Sequence, residues 1–506
     1  MRKIKHTLAA LAALCITVTA LPFRATSAEN SEAPGGSIVY GDADGDGDVT
    51  VNDAITVMCY ASDSASNTLT DEQLKAADVY QPGDGVTASD AVSIQKYLAR
   101  MILSLPDVIP EPQFSSIRLG DNLSIQESDS FSPDDAFINA QMNFAVDIFQ
   151  RTYASNGEAE NTLVSPTSIM LALAMTANGA DTETLAEMEN VLGSGMSIGD
   201  LNKYLLGYVR SLPDEDNCRL SIVNSLWFNK NSSYVVRDDF IQNAINYYDA
   251  QMYESVSDSD AVNDINKWVN YNTDGMIENI LSDVNPDWIM YLINAVAFDA
   301  EWQCMYDDEC VDPYNFTAAD GSVQISEMMS GRANLHYELD NAVGFKKDYA
   351  GGGYSFAAFL PDENVSIDEF ICSLDASEIR KSLENPIYGT VYTGLPKFKY
   401  EYAASLNDEL CDMGMKKAFD DADFSRMFDY SNGIKDAYIS NVGHKTFISV
   451  DQRGTRAGAV TFVELAGNAL EPYPPMEIIL DRPFVYMIID NSTNLPIFIG
   501  ALTSIE

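Results

Sequence analysis

The chain has 506 residues, 46% of them apolar, enough for two or three domains and a large buried core. With 76 acidic against 30 basic residues the formal net charge is -46, which excludes a basic surface for nucleic acid or anionic lipid and leaves a solvated acidic one. Beyond the first thirty residues no segment is long and apolar enough to span a membrane.

Residues 1–28 open with Arg2, Lys3 and Lys5, run through an apolar stretch from Leu8 to Leu21 and close on small residues at Ala28. That is the make-up of a secretory signal peptide, so an exported, extracellular protein is expected. Its removal takes Cys15 and leaves six cysteines without dense spacing, so no disulfide scaffold is expected; Cys304 and Cys310 either pair or stay free thiols. Only His336 and His444 survive removal of His6, which leaves little room for a histidine-based catalytic or zinc site.

In GDADGDGDVTVND, Asp42, Asp44 and Asp46 stand two apart, Gly47 follows, Asp48 offers its carbonyl, and Asp53 closes a twelve-residue loop. Calcium takes oxygens at positions one, three, five, seven and twelve of such a loop, with glycine at six for the turn. The helix-like AITVMCYA follows, but the preceding APGGSIVY is too rich in glycine and proline for an entering helix. Further on, DGVTASDAVSI echoes DGDVTVNDAIT, so the loop and helix are repeated. The second loop departs from the first: it spans thirteen residues from Asp78 to Asp90, Pro82 lies inside, and Asp78, Asp84 and Asp90 are its candidate ligands.

These paired repeats resemble the dockerin modules that attach secreted proteins to cohesin domains of cellulosome scaffolds. The resemblance implies a small all-α dockerin over residues 37–106, two calcium ions, a cohesin partner and a place among proteins of polysaccharide catabolism. It also gives Val51, Asn52, Ala88 and Ser89 as the residues that read the cohesin; by themselves they are equally ordinary helix N-terminal residues. The prolines of LSLPDVIPEPQF then mark a linker over residues 107–130.

Over residues 131–506 helical and strand patterns alternate without a repeat, which gives a large α+β domain. INAQMNFAVDIFQRTY, SPTSIMLALAMTANG and NDINKWVNYNTDGMI space their apolar residues by threes and fours and read as helices. RLSIVNSLWFN, WIMYLINAVAFDA, YSFAAFLP, GTVYTGLPKFKYEY, HKTFISVD and FVYMIID are rich in β-branched and aromatic residues and read as strands. Near the end, RGTRAGAVTFVELAGNALEP alternates like a core strand through Leu465 and then turns small and exposed.

Several of these segments resemble the serpins, the serine protease inhibitor family, in the family's own order. NTLVSPTSIMLALAMTANGADTETLAEMENVLG, LINAVAFDAEW, LPKFKYEY, LCDMGMKKAFDDADFS, ISNVGHKTFISVDQRGTRAGA and DRPFVYMIIDNSTNLPIFIG carry the likeness across the domain. It implies large mixed sheets wrapped in helices, and a hinge at Gly454, Thr455, Ala457, Gly458 and Ala459 leading into an exposed reactive loop. A protease that cleaves the loop becomes acylated, and the freed loop then enters the main sheet as a new strand and distorts the trapped enzyme. Ser165, Ser168, Asn294 and His444, which could pass for a nucleophile with its base, become a buried hydrogen-bond network where the sheet opens, with Trp302 above it.

Strand entry past a packed core requires small inward side chains at the front, and Thr455, Ala457 and Ala459 meet that condition. Gln452, Arg453 and Arg456 depart from the acids usual at these places in inhibitory members. Counting forward from Gly454 puts the scissile bond at Asn468-Ala469; counting back from Arg482 puts it about four residues later, and Leu470 competes on side-chain chemistry. No basic residue lies between Ala457 and Glu471, so the expected targets are subtilisin-, elastase- or chymotrypsin-like proteases. The alternatives are a non-inhibitory serpin-fold binding protein on a cellulosome and, from the usual cargo of dockerins, a carbohydrate-active enzyme.

Overall fold

The computed structural model describes residues 38–505 except 63, 65–66, 81–84, 99–104, 107–111, 122, 158–159, 214–216, 233, 274–276, 278, 283–287, 431–436 and 456–475. Among the described residues it contains twelve α-helices and sixteen strands.

The first three helices, α1 (Val51–Ser62), α2 (Asp71–Ala77) and α3 (Ala88–Leu98), enclose a small core of Ala43, Ala54, Val57, Ala77, Val79, Ala91 and Ile94. A capping box starts α2: the Thr70 hydroxyl accepts from the Gln73 N–H while the Gln73 side chain accepts from the Thr70 N–H.

The larger domain adds helices α4 (Asp135–Asn156), α5 (Pro166–Ala177), α6 (Thr182–Gly193), α7 (Ile198–Ser211), α8 (Asp238–Tyr248), α9 (Asp258–Asn272), α10 (Ile367–Ser373), α11 (Ala376–Glu384) and α12 (Asn407–Met413). Its strands are β1 (Ile117–Leu119), β2 (Thr162–Val164), β3 (Cys218–Asn229), β4 (Gln251–Ser255), β5 (Met290–Glu301), β6 (Val311–Thr317), β7 (Val323–Leu339) and β8 (Ala342–Asp348). They continue with β9 (Tyr354–Pro361), β10 (Ile387–Pro396), β11 (Phe398–Ser405), β12 (Gly443–Val450), β13 (Gly454–Thr455), β14 (Met476–Ile479), β15 (Phe484–Asp490) and β16 (Pro496–Leu502). One sheet has the order β1-β4-β3-β5-β13-β12-β11; the other has β14-β10-β7-β8-β9-β15-β16-β2, with β6 paired to β7.

Burial explains the sequence patterns. Every residue of β9, β15 and β16 is buried, which is why they read as unbroken apolar runs, whereas β12 alternates as a strand with one face in the core. All of α5 is buried, and Pro166 at its first turn with Ser165 as its cap sets where it starts. The single strand expected for GTVYTGLPKFKYEY is two: after Pro396 the chain passes from one sheet into the other, so β10 and β11 belong to different layers. Cys304 and Cys310 are free thiols. From residue 112 onward the stretch expected as linker lies against the larger domain, with Ile117–Leu119 forming edge strand β1 beside β4. Among the described residues no helix is long and apolar enough to cross a membrane.

Candidate functional site at the opening of the first sheet

Strand β13 is a two-residue wedge. Gly454 and Thr455 pair with Glu301 and Ala300 of β5 on one side, and Thr455 with Val450 of β12 on the other. Only glycine fits at 454, because a Cβ there would lie 2.0 Å from the Ala300 carbonyl oxygen. Thr455 faces inward, 3% exposed, and shares a 2.6 Å hydrogen bond with the Tyr349 hydroxyl. Tyr349 stacks on Trp302 at 4.5 Å; Trp302 in turn donates its backbone N–H to the Arg453 carbonyl and its indole N–H to the Asp451 carbonyl. The hinge entrance is therefore held from both flanks and from below. Burial, aided by the Asp299 charge and opposed by that of Arg453, raises the Glu301 carboxyl to about 7. The remaining hinge residues Ala457, Gly458 and Ala459, and the candidate cleavage residues Asn468, Ala469 and Leu470, lie outside the described residues.

Below the wedge, no strand among the described residues fills the space between β5 and β12. A cleft of ≈ 150 Å³ lies there, lined by Ser168, Met290, Leu292, Asn294, Gly443 and His444 among others. The structure brings the four polar residues singled out in the sequence to this cleft in two linked sets. His444 Nε2 accepts the Ser165 N–H at 3.1 Å, and Ser165 Oγ caps the Ser168 N–H. Ser168 Oγ donates to Asn294 Oδ1, and Asn294 Nδ2 donates to Asn224 Oδ1 at 2.6 Å. Among the described residues no base is bonded to a serine hydroxyl here, and the imidazole Nε2 is taken by a backbone amide. These bonds fasten α5 to β5 and β12, the two strands that flank the cleft. Asn224 and Tyr349 were not singled out in the sequence; both sit in ordinary strand or loop contexts, and only register places them here.

Burial depresses the His444 imidazole to about 4. Between about 6.5 and 4 the unfolded chain therefore binds a proton that the folded chain does not, so stability contributed at neutral pH is lost as pH falls through this window. Glu301 acts in the opposite sense, its contribution fading as pH rises towards about 7. His444→Gln is expected to lessen the acid-side loss of stability, measured as the urea midpoint at pH 7, 5.5 and 4. An unchanged profile would show that His444 does not titrate in unfolding.

The first domain carries a separate site. Carboxylate oxygens of Asp42, Asp44 and Asp46 gather within 4.8 Å of one another, Gly45 between the last two and Gly47 just after them have φ of +78° and +93°, and no basic residue lies between Asp42 and Asp53. Like charges held together without a cationic side chain fit calcium, which would supply the missing positive charge. Asp48 is exposed and donates its N–H to Asp46. Asp53 is fully buried and braces the loop, accepting from the Asp44 and Thr50 N–H groups; Asp90 does the same in the second loop, accepting from Val79, Tyr80 and Thr87. Asp78 caps the end of α2, and Asp84 lies outside the described residues. The repeats superimpose in function: Thr50 Oγ1 caps Asn52 as Thr87 Oγ1 caps Ser89. Val51 and Asn52 are exposed at the start of α1, while at the start of α3 Ala88 is half-buried and Ser89 exposed.

A seven-stranded sheet whose strands β5 and β12 are joined, among the described residues, by the two-residue wedge Gly454–Thr455 defines a class of protein. The serpin (serine protease inhibitor) family model matches residues 139–505, so the chain belongs to the serpin family. A dockerin type I domain matches residues 40–99, making the chain a serpin with a dockerin ahead of it; such domains generally bind calcium. An uncharacterized serpin-like protein of Thermococcus kodakarensis is 32% identical over 373 residues, covering 72% of this chain and 85% of that one. Among solved structures, the thermophilic serpin tengpin in its native state is 46% identical with a TM-score of 0.72, covering 77% of this chain and 99% of that one. Tengpin in its latent state gives 45% and 0.66, covering 75% and 100%.

Proposed function

We propose that the chain is a secreted, dockerin-anchored suicide inhibitor of serine proteases, acting by loop cleavage and strand insertion. The observation that carries this is β13: the hinge already forms two residues of strand between β5 and β12, above a cleft of ≈ 150 Å³. Continued in the same register, insertion brings Ala457 opposite Phe298, Ala459 opposite Val296 and Thr461 opposite Asn294. Phe298 and Val296 are buried, so only small partners pass them without displacing the core. Each added backbone hydrogen bond contributes about 0.5–1.5 kcal/mol net, so a dozen supply about ten kcal/mol towards distorting a trapped enzyme. The unusual Arg453 is answered locally, since its charge opposes the upward shift of Glu301. In the first domain, the exposed Val51, Ile55 and Met58 on one face of α1 fit a cohesin-binding surface.

The test is incubation with a panel of proteases followed by denaturing electrophoresis and mass spectrometry of the loop. Subtilisin-, elastase- or chymotrypsin-like enzymes are expected to form complexes that survive denaturation, with the cut between Gly467 and Leu470 or just after it. Trapping of trypsin, or a first cut before Leu465, would contradict the assignment of target class.

A further inference from the structure

The cleft between β5 and β12 has an apolar wall as well as a polar one. Ile169 and Ala172 of α5, Leu292 of β5, and Phe424, Met427 and Phe428 from the chain before β12 line it. The Phe428 ring is held edge to face on Phe228 at 6.4 Å and tilted on Tyr234 at 5.1 Å, so this wall has a fixed shape. None of the described residues lining the cleft carries a charge. An apolar cavity of ≈ 150 Å³ has room for one ring of benzene size, about six to eight non-hydrogen atoms.

One polar group on the cleft is left over. Ser168 Oγ donates to Asn294, Asn294 Nδ2 to Asn224, and Thr176 Oγ1 to the Ala172 carbonyl at 3.1 Å, so these side chains are paired. His444 differs. Its Nε2 accepts the Ser165 N–H, so the single proton of the neutral ring sits on Nδ1, and that N–H meets no acceptor among the described residues. The ring is 7% exposed, and burial depresses its pKa to about 4, so at neutral pH it is an uncharged donor. A buried donor without a partner is costly, and an acceptor carried in by a ligand removes that cost.

We propose that this cleft is a binding site for one small neutral ring compound bearing a single oxygen acceptor, which packs on Ile169, Leu292 and Phe428, accepts from His444 Nδ1–H, and competes with the inserting loop. An anion or cation is excluded, because no charge of the wall would pair with it once buried. The competition rests on the insertion proposed above. In that register Thr461 comes between Asn294 and His444, and Val463 opposite Leu292, so the strand would bring an aliphatic group and a hydroxyl to the space that the ligand fills with a ring and an oxygen.

Cyclohexanone is the probe, with cyclohexylammonium as its charged counterpart, each added to full-length protein in the intact and the loop-cleaved form. Binding is followed by the urea midpoint and by the Nδ1–H resonance of His444, one of three histidines in the chain. Cyclohexanone should bind the intact form with a dissociation constant of about 1 mM, shift the His444 resonance and raise the midpoint. At about twice that concentration two-thirds of the chains are occupied, and trapping of subtilisin should slow about threefold. Cyclohexylammonium should do none of this. Ala172→Leu, which fills the cavity, should weaken binding about tenfold or more; should it not fold, the His444 resonance of the unaltered chain decides. An unmoved His444 resonance at about 20 mM cyclohexanone, or equal binding of the charged counterpart, would overturn the site. Equal binding to intact and cleaved protein would overturn the competition. If intact and cleaved protein unfold at the same urea concentration without ligand, the insertion reading itself fails, and the shift at His444 still decides whether the site exists.

Discussion

Thr455→Arg is expected to turn the chain from a trap into a plain substrate. Thr455 already sits inside the sheet, bonded to Tyr349 and opposite Ala300, so an arginine there has no water and no acid to meet. The nearby carboxylate of Glu301 is one residue along β5 and projects from the other face, as strand alternation requires. Burying an unpaired guanidinium costs about 3 kcal/mol or more, which slows insertion by roughly a hundredfold or more. Deacylation then overtakes it: the loop is cut at an unchanged rate, the protease is released active, and complexes that survive denaturation disappear. Thr455→Ser, which keeps the hydroxyl for Tyr349, should trap as the unaltered chain does. Stable complexes at undiminished yield with Thr455→Arg would remove the insertion mechanism, whatever the cleavage site.

The parts of this fold legible in the sequence are those whose pattern is decided locally. Strand β15 reads as FVYMIID because both its faces are buried, and α5 reads as a helix because a cap, a proline and an unbroken apolar run specify it. Asp42, Asp44, Asp46 and Gly47 declare their site because calcium dictates spacing within a single loop. What the sequence hides is decided at a distance. Strand β7 carries polar and charged residues throughout its seventeen positions and is held by neighbours on both sides, so alternation alone does not mark it. Tyr349 reaches the wedge, and Asn224 the Asn294 side chain, through pairing with segments far away in sequence. The stretch before Phe131 has the prolines of a linker, yet Phe114 and Ser116 find an aromatic pocket and a buried carboxylate that composition does not reveal.

Calcium removal is expected to unfold the first domain and leave protease trapping intact. The core between α1, α2 and α3 consists largely of alanines with Val57, Val79 and Ile94, too little apolar surface to hold some sixty residues folded by burial alone. At the loop, Asp42, Asp44 and Asp46 repel one another at close range, and desolvation with the neighbouring acids raises the Asp44 carboxyl. Without an ion that repulsion opposes the fold; with one it becomes the binding energy, so metal affinity and folding of this domain are the same quantity. Chelation should therefore abolish the helical signal of residues 51–98 and cohesin binding together, and added calcium should restore both. Asp42→Ala should behave as the chelated protein does, because its carboxylate also accepts the Gly45, Asp46 and Gly47 N–H groups that shape the turn. The bonds of the wedge run to β5, β12, Tyr349 and Trp302, all in the larger domain, so trapping by the same chelated sample should proceed at its usual rate. Loss of trapping on chelation would mean that the dockerin supports the inhibitor directly and that the two modules do not work separately.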